Sequence, residues 1–159
     1  GSEMCIRDRE EVLLKNITNE EKLNCFSSFF SKIEAEEKEL IITDPYLFKE
    51  SKNKKEDDEY CNILAKIIMK AKAKSIRVIT NYRNYNNDIH KKIENKLTQD
   101  IKIIWNDDFH DRFWIADRKK GFYTGTSING LGKRITLINL LSKDEVKIII
   151  DELNKKECL

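Results

Sequence analysis

Three short apolar, β-prone runs, at residues 40–43, 75–80 and 101–105, are separated by stretches of helical period, and this alternation constrains the fold more than any other feature. The first run, Leu40-Ile41-Ile42-Thr43, is stopped by Asp44-Pro45-Tyr46. Proline cannot continue a central ladder, so the run reads as a buried strand ending in a loop. Residues 49–59 are almost wholly charged or polar and read as a solvated loop. Asp57-Asp58 then starts a helix carrying Ile63, Leu64, Ile67, Ile68 and Ala71 inward. Ile76, Val78 and Ile79 mark the second strand, and residues 81–87 form a loop rich in asparagine and tyrosine. Residues 88–99 form a lysine-rich helix with Ile89, Ile93 and Leu97 on one face. Beyond the third strand, residues 112–117 and 122–126 read as two antiparallel strands across a Lys119-Lys120-Gly121 turn. Residues 134–141 supply another strand and residues 144–156 a closing amphipathic helix.

Strands alternating with helices, followed by a hairpin, predict an α/β fold: a mixed β-sheet flanked by helices on both faces. Upstream, Val12, Leu13, Ile17, Leu23, Phe26, Phe29, Phe30 and Ile33 recur at helical intervals, broken near Thr18-Asn19. This predicts one short helix leading into a longer one, with Asn19 as its N-cap. Residues 1–9 show neither period. Gly1-Ser2 resembles a tag scar and residues 4–9 a translated cloning adapter, which leaves residues 10–159 as a single domain with N-terminal helices.

A chain of 159 residues holds a real core without a stapling metal or disulfide. Its four cysteines, Cys5, Cys25, Cys61 and Cys158, form no CxxC pair and only two histidines accompany them, so no zinc site or disulfide framework is signalled. Reduced thiols, the lack of a membrane-length apolar run and the lack of a signal-peptide pattern predict a cytoplasmic protein. Lysine plus arginine number 30 against 28 acidic residues, so no global charge draws the chain to nucleic acid or acidic membranes. Any anion site must be local.

The chemistry concentrates in His110-x-Arg112-x4-Asp117, followed by Gly125-Thr126-Ser127-Ile128-Asn129. Imidazole, guanidinium, carboxylate, hydroxyl and carboxamide are all groups that handle phosphate. Each residue also has a plainer use. His110 could be a polar residue at a strand entrance, Asp117 ordinary turn chemistry, and Ser127 and Asn129 caps of the turn at residues 128–131. Lys133 and Arg134 could meet a phosphate or merely start a strand. Asp44 stands at the strand end where α/β sheets place ligands, yet Asp-Pro also opens turns. His90 reads as solvated, and Trp105 and Trp114 as core.

The pattern resembles the phospholipase D superfamily motif, H-x-K-x4-D followed by G-S-x-N. Arg112 stands at its lysine position, Thr126 falls where its glycine would be, and the spacing from Asp117 to Ser127 is longer by two residues. The order of elements from about Asp44 onward resembles one α/β half of that fold. A single motif copy resembles the short bacterial nuclease members, which form homodimers so that two motifs meet. The resemblance implies a homodimeric phosphodiesterase or nuclease with His110 as nucleophile, a second histidine protonating the leaving oxygen, and Arg112 neutralising phosphate. It implies that Asp117 orients a histidine or supports the hairpin, and that Ser127 and Asn129 bond a phosphate oxygen or hold the facing histidine. Thr126, Lys133 and Asp44 are further candidates for phosphate binding.

Positive groups at the motif stand where a cation would, so no metal and no cofactor are expected. The substrate would be a phosphodiester or phosphorylated ligand, whether nucleic acid or lipid headgroup. The segment 41–46 with residues 109–112 also resembles the phospholipase D-like domain at the C-terminus of some microtubule-interacting-and-trafficking proteins. That likeness implies the alternative of a non-catalytic module binding a phosphorylated ligand or lipid headgroup. A purely structural dimerisation domain is the third possibility.

Overall fold

The strand that stops at Asp44 sits inside a seven-stranded sheet, next to its central strand, in a computed structural model that describes residues 9–159. In chain order the elements are β1 (Glu10–Leu13), α1 (Asn19–Lys32), β2 (Glu39–Thr43), α2 (Lys54–Lys70), β3 (Ser75–Thr80), α3 (Asn87–Glu94) and β4 (Ile101–Trp105). There follow β5 (Arg112–Ala116), β6 (Lys120–Thr124), β7 (Thr136–Leu140) and α4 (Lys143–Lys155). The sheet runs β1-β7-β6-β5-β2-β3-β4. β2, β3 and β4 are parallel, while β5 returns antiparallel beside β2 and every pairing beyond it is antiparallel.

Alternation along the strands divides the interior in two. Leu40, Ile42, Val78, Trp114 and Phe122 point to the face covered by α1, α2 and α3, where Phe26, Phe29 and Phe30 close around them. Trp114 lies edge-on to Phe26 at 5.3 Å and stacked parallel with Phe122 at 5.9 Å. Ile41, Ile79 and Ile115 point to the other face, against Val146 and Leu153 of α4. The architecture is the expected α/β one, a mixed sheet with helices on both faces.

The short N-terminal helix is a correction. Residues 10–13 form an edge strand pairing antiparallel with β7, Leu13 opposite Thr136. Leu13 is buried while Val12 and Leu14 are exposed, the two-residue alternation of a strand, which so short a segment shows only once its partner is in place. Backbone hydrogen bonds to β7 are available to this segment, whereas a single helical turn would be marginal alone. The cap of α1 is Thr18, not Asn19, in a capping box with Glu21. Asn53 caps α2 and starts it three residues before Asp57, and α3 ends at Glu94. The hairpin turn is Asp117-Arg118-Lys119, with Asp117 and Arg118 both at positive φ. Gly121 belongs to β6, where a Cβ would sit 2.8 Å from both Ile115 Cγ1 and the Trp114 carbonyl oxygen. The expectation for residues 1–9 lies, except for Arg9, outside the described residues. Among the described residues no helix is long and apolar enough to cross a membrane.

Candidate functional site

β2 and β3 end where β5 begins and β6 ends, so one edge of the sheet collects four strand termini. Thr43 pairs with Phe113, and continuing that register sets Asp44 beside Arg112. The Asp44 N–H donates to the Ile79 carbonyl (3.1 Å), and Thr80 Oγ1 donates to the Asp44 carbonyl (2.7 Å). Thr43 Oγ1 locks the entry to β5: it donates to the Asp111 carbonyl and accepts from the Phe113 N–H, both at 3.0 Å. This clamp brackets Arg112.

Asp44 is a fully buried carboxylate. Its Oδ1 accepts the Tyr46 N–H at 2.8 Å and its Oδ2 accepts the Ser127 hydroxyl at 2.7 Å. Burial pushes its pKa up to about 6, against the pull of those two hydrogen bonds and of Arg112. Ser127 is itself buried and makes no side-chain bond to the turn that follows it. Its hydroxyl is committed to Asp44, so it ties the end of β6 to the end of β2 rather than facing solvent.

Arg112 is half-buried, and its guanidinium lies 5.5 Å from the Tyr46 ring centroid. It forms no ion pair among the described residues, and its buried Nε has no acceptor there. Asp44 acts on it only from beyond ion-pair distance, so its donors stay open to an external anion. His110 is exposed, two residues ahead of Arg112, and bonds to no described residue. Phe109, just before it, packs into the cluster under α4 and anchors the approach to β5.

The other candidates divide. Asn129 and Lys133 line a 350 Å³ cavity with Lys22, Lys49 and Tyr60, between the starts of α1 and α2. Burial, and then the charge of Lys133, lower the Lys22 pKa there. Lys49 reaches over the Tyr46 ring at 5.6 Å, linking this cavity to Arg112. Thr126 packs closely under Gly130, and its carbonyl accepts from Thr124 Oγ1 at 2.8 Å. Asp117 lies at the opposite end of β5, its N–H bonded to the Glu39 carbonyl at 2.9 Å. Five strand residues put it roughly 16 Å from Arg112. It is a half-exposed turn residue 3.6 Å from Lys119, and the fold does not bring it to His110.

Three expectations outside the motif need correction or confirmation. His90 is not solvated: it packs on Phe48, with Nδ1 2.6 Å from the Tyr85 hydroxyl and Nε2 3.2 Å from Glu94. Trp105 is 45% exposed at the end of β4, whereas Trp114 is core. Lys22, Lys49 and Thr80 carry no motif signal, whereas Thr43 and Tyr46 lie in the segment 41–46 whose resemblance, with the strand-stopping Asp44-Pro45-Tyr46, points to this end of β2. Cys25, Cys61 and Cys158 are buried free thiols. Among the described residues no three His, Cys, Asp or Glu side chains gather as a metal site.

No protein-family model matches the chain, and no curated protein sequence matches it significantly. Solved structures do match in shape. NucT from Helicobacter pylori superposes with a TM-score of 0.57 at 12% identity, covering 92% of this chain and 94% of its own. Nuc from Salmonella typhimurium, described as a phospholipase D family member, gives 0.53 at 9%, covering 92% and 93%. Polyphosphate kinase from Porphyromonas gingivalis gives 0.51 at 15%, with 92% of this chain covering 22% of the kinase. At these identities the likeness is one of fold.

Proposed function

The chain has a phospholipase D-like fold, and we propose that it hydrolyses a phosphodiester through His110, in a site completed by a second copy of itself. The observation that carries this reading is an exposed imidazole two residues from a guanidinium with no carboxylate at ion-pair distance, at the end of the sheet where four strands terminate. Arg112 takes two non-bridging oxygens and draws the phosphorus toward His110. An imidazole nitrogen of His110 forms a bond to phosphorus as the bond to the leaving oxygen breaks. His110 of the second copy gives that oxygen a proton, then takes one from the water that attacks the phosphohistidine and frees the product.

Asp44 and Ser127 hold the site together in this account rather than touching substrate. Their bond joins the ends of β2 and β6 across β5, and with the Thr43 clamp it fixes the strand on which Arg112 sits. Lys22, Lys133 and Asn129 line the side cavity together with Glu56 and Glu59, so its charge is mixed and the phosphate is held at Arg112 rather than there. The shape likeness to NucT and to Nuc, a phospholipase D family member, supports the general reading of a phosphodiesterase or nuclease.

The test is turnover of bis(p-nitrophenyl) phosphate in the presence of chelator. Turnover should persist there, vanish in His110→Ala, and rise with the dimer fraction across a concentration series. Equal turnover in the parent and His110→Ala proteins overturns the proposal. So does a parent that stays monomeric while fully active. An inactive parent that binds phosphate through Arg112 would instead favour the non-catalytic binding module.

A further inference from the structure

The row of residues across the catalytic edge of the sheet does not end at Asp44. Thr80 follows on β3 and, paired with it, Trp105 on β4. Ile42, Val78 and Trp114 share the face under α1 to α3, so Arg112, Asp44, Thr80 and Trp105, each two residues or one pairing along, share it too. Three strand spacings put Trp105 about 14 Å from Arg112.

Trp105 does not stand alone. Tyr82, 71% exposed, meets it edge-on at 5.3 Å, and Tyr85 meets it edge-on at 4.8 Å. Tyr85 is fixed from behind by its 2.6 Å bond to His90 Nδ1 and by edge contact with Phe48 at 5.8 Å. The result is an exposed aromatic shelf with a rigid backing. Arg83, exposed and free of ion pairs among the described residues, adds a cation beside it. Isolated surface aromatics are unremarked in folded proteins, but a held cluster on the same row as an unpaired arginine is an interaction surface.

We propose that this shelf stacks the bases of a single-stranded nucleic acid whose phosphate is engaged at Arg112. The inference rests on the phosphodiester reading of that site and names its substrate class. A stacked strand advances about 3.4 Å per nucleotide, so the shelf lies about four nucleotides from the reacting phosphate. Unpaired bases present the ring faces that such a platform takes, whereas a duplex hides them and a lipid headgroup has none.

The experiment measures binding, not cleavage, using His110→Ala protein and fluorescein-labelled dT12 at fixed low salt. Its comparisons are a 12-mer of equal charge lacking all bases, a 12-base-pair duplex and phosphatidylglycerol vesicles. Binding to dT12 should exceed all three. Trp105→Ala and Tyr82→Ala should each weaken it by about 5- to 150-fold, and Trp105→Phe should restore most of the loss. Equal affinity for the abasic 12-mer, the duplex or the vesicles overturns the proposal, as does indifference to both alanine variants.

A second measurement avoids substitution. Trp114 is fully buried, so iodide reaches only Trp105, and dT12 should protect it from quenching. Unchanged quenching overturns the shelf. The two readings fail separately: shelf-dependent binding without His110-dependent diester turnover removes catalysis alone. Turnover without shelf-dependent binding removes the shelf alone.

Discussion

Replacing Asp44 with asparagine should make the protein more stable at neutral pH while weakening its site. The carboxyl is fully buried, and its pKa in the folded chain is raised from 3.8 to about 6, first by desolvation. A carboxyl that binds its proton more tightly when folded stabilises the fold fully below the unfolded value. That contribution is lost as pH rises through the folded value. At about 1.4 kcal/mol per pH unit, the interval from 3.8 to about 6 amounts to about 3 kcal/mol. The parent should therefore lose about that much stability between pH 4 and pH 7 from this group. Asparagine keeps the shape and an acceptor for the Tyr46 N–H, and its amide donates to Ser127 Oγ, so the bonds at 2.8 and 2.7 Å have replacements. Urea unfolding at pH 4.5 and pH 8, followed by tryptophan fluorescence and by circular dichroism, reads the difference. Asp44→Asn should be more stable than the parent at pH 8 by up to about 3 kcal/mol, and by only about 1 kcal/mol at pH 4.5. A variant less stable than the parent at pH 8, with the same pH slope, would refute the assignment of a costly buried charge to Asp44.

Other expectations follow from single contacts. Thr43→Val leaves the Asp111 carbonyl and the Phe113 N–H without their shared hydroxyl and should cost about 1–3 kcal/mol in chemical denaturation. Diester turnover should fall further than that stability loss explains, because Arg112 lies between the two bonds. Arg112→Ala should weaken inorganic phosphate binding by about 10- to 150-fold by calorimetry, the worth of a charge-assisted hydrogen bond, with Arg112→Lys recovering part of it. Gly121→Ala drives a methyl group into Ile115 and the Trp114 backbone and should lower stability by about 1–3 kcal/mol, seen as a fall of several degrees in the melting midpoint. Asp117→Asn, far from the site, should leave phosphate binding at the parent value in the same calorimetric assay.

Much of this was readable from residue order. The run at residues 40–43 is wholly apolar up to Thr43 because β2 is buried on both faces, and the runs at 75–80 and 101–105 keep enough isoleucine and valine to read as strands although β4, at the sheet edge, is only partly covered. At β1, Val12, Leu13 and Ile17 fit a helical period as well as a strand's, and only the partner strand β7, over a hundred residues away, decides between them. The site divides along the same line. His110 and Arg112 are neighbours in sequence and remain so in space. Ser127 and Asp44 are separated by 83 positions and meet only because β6 and β2 flank β5. Asp117 belongs to the motif by spacing, and a strand of five residues carries it to the opposite end of β5, where of its two implied roles it is placed for supporting the hairpin rather than for orienting His110. Trp105 read as core because its neighbours are apolar, and no local pattern says that β4 is the last strand of the sheet.

The central claim is that His110 becomes covalently bound to phosphorus. The chain has only two histidines, and His90 is enclosed by Phe48, Tyr85 and Glu94, so an adduct is easily assigned. Protein mixed with a chromogenic phosphodiester in chelator, quenched in alkali during turnover and digested for mass spectrometry, should carry a phosphoryl ester on the peptide containing His110. The His110→Ala protein should carry none. Turnover in chelator with no adduct at His110, or with the adduct on another residue, would contradict the account.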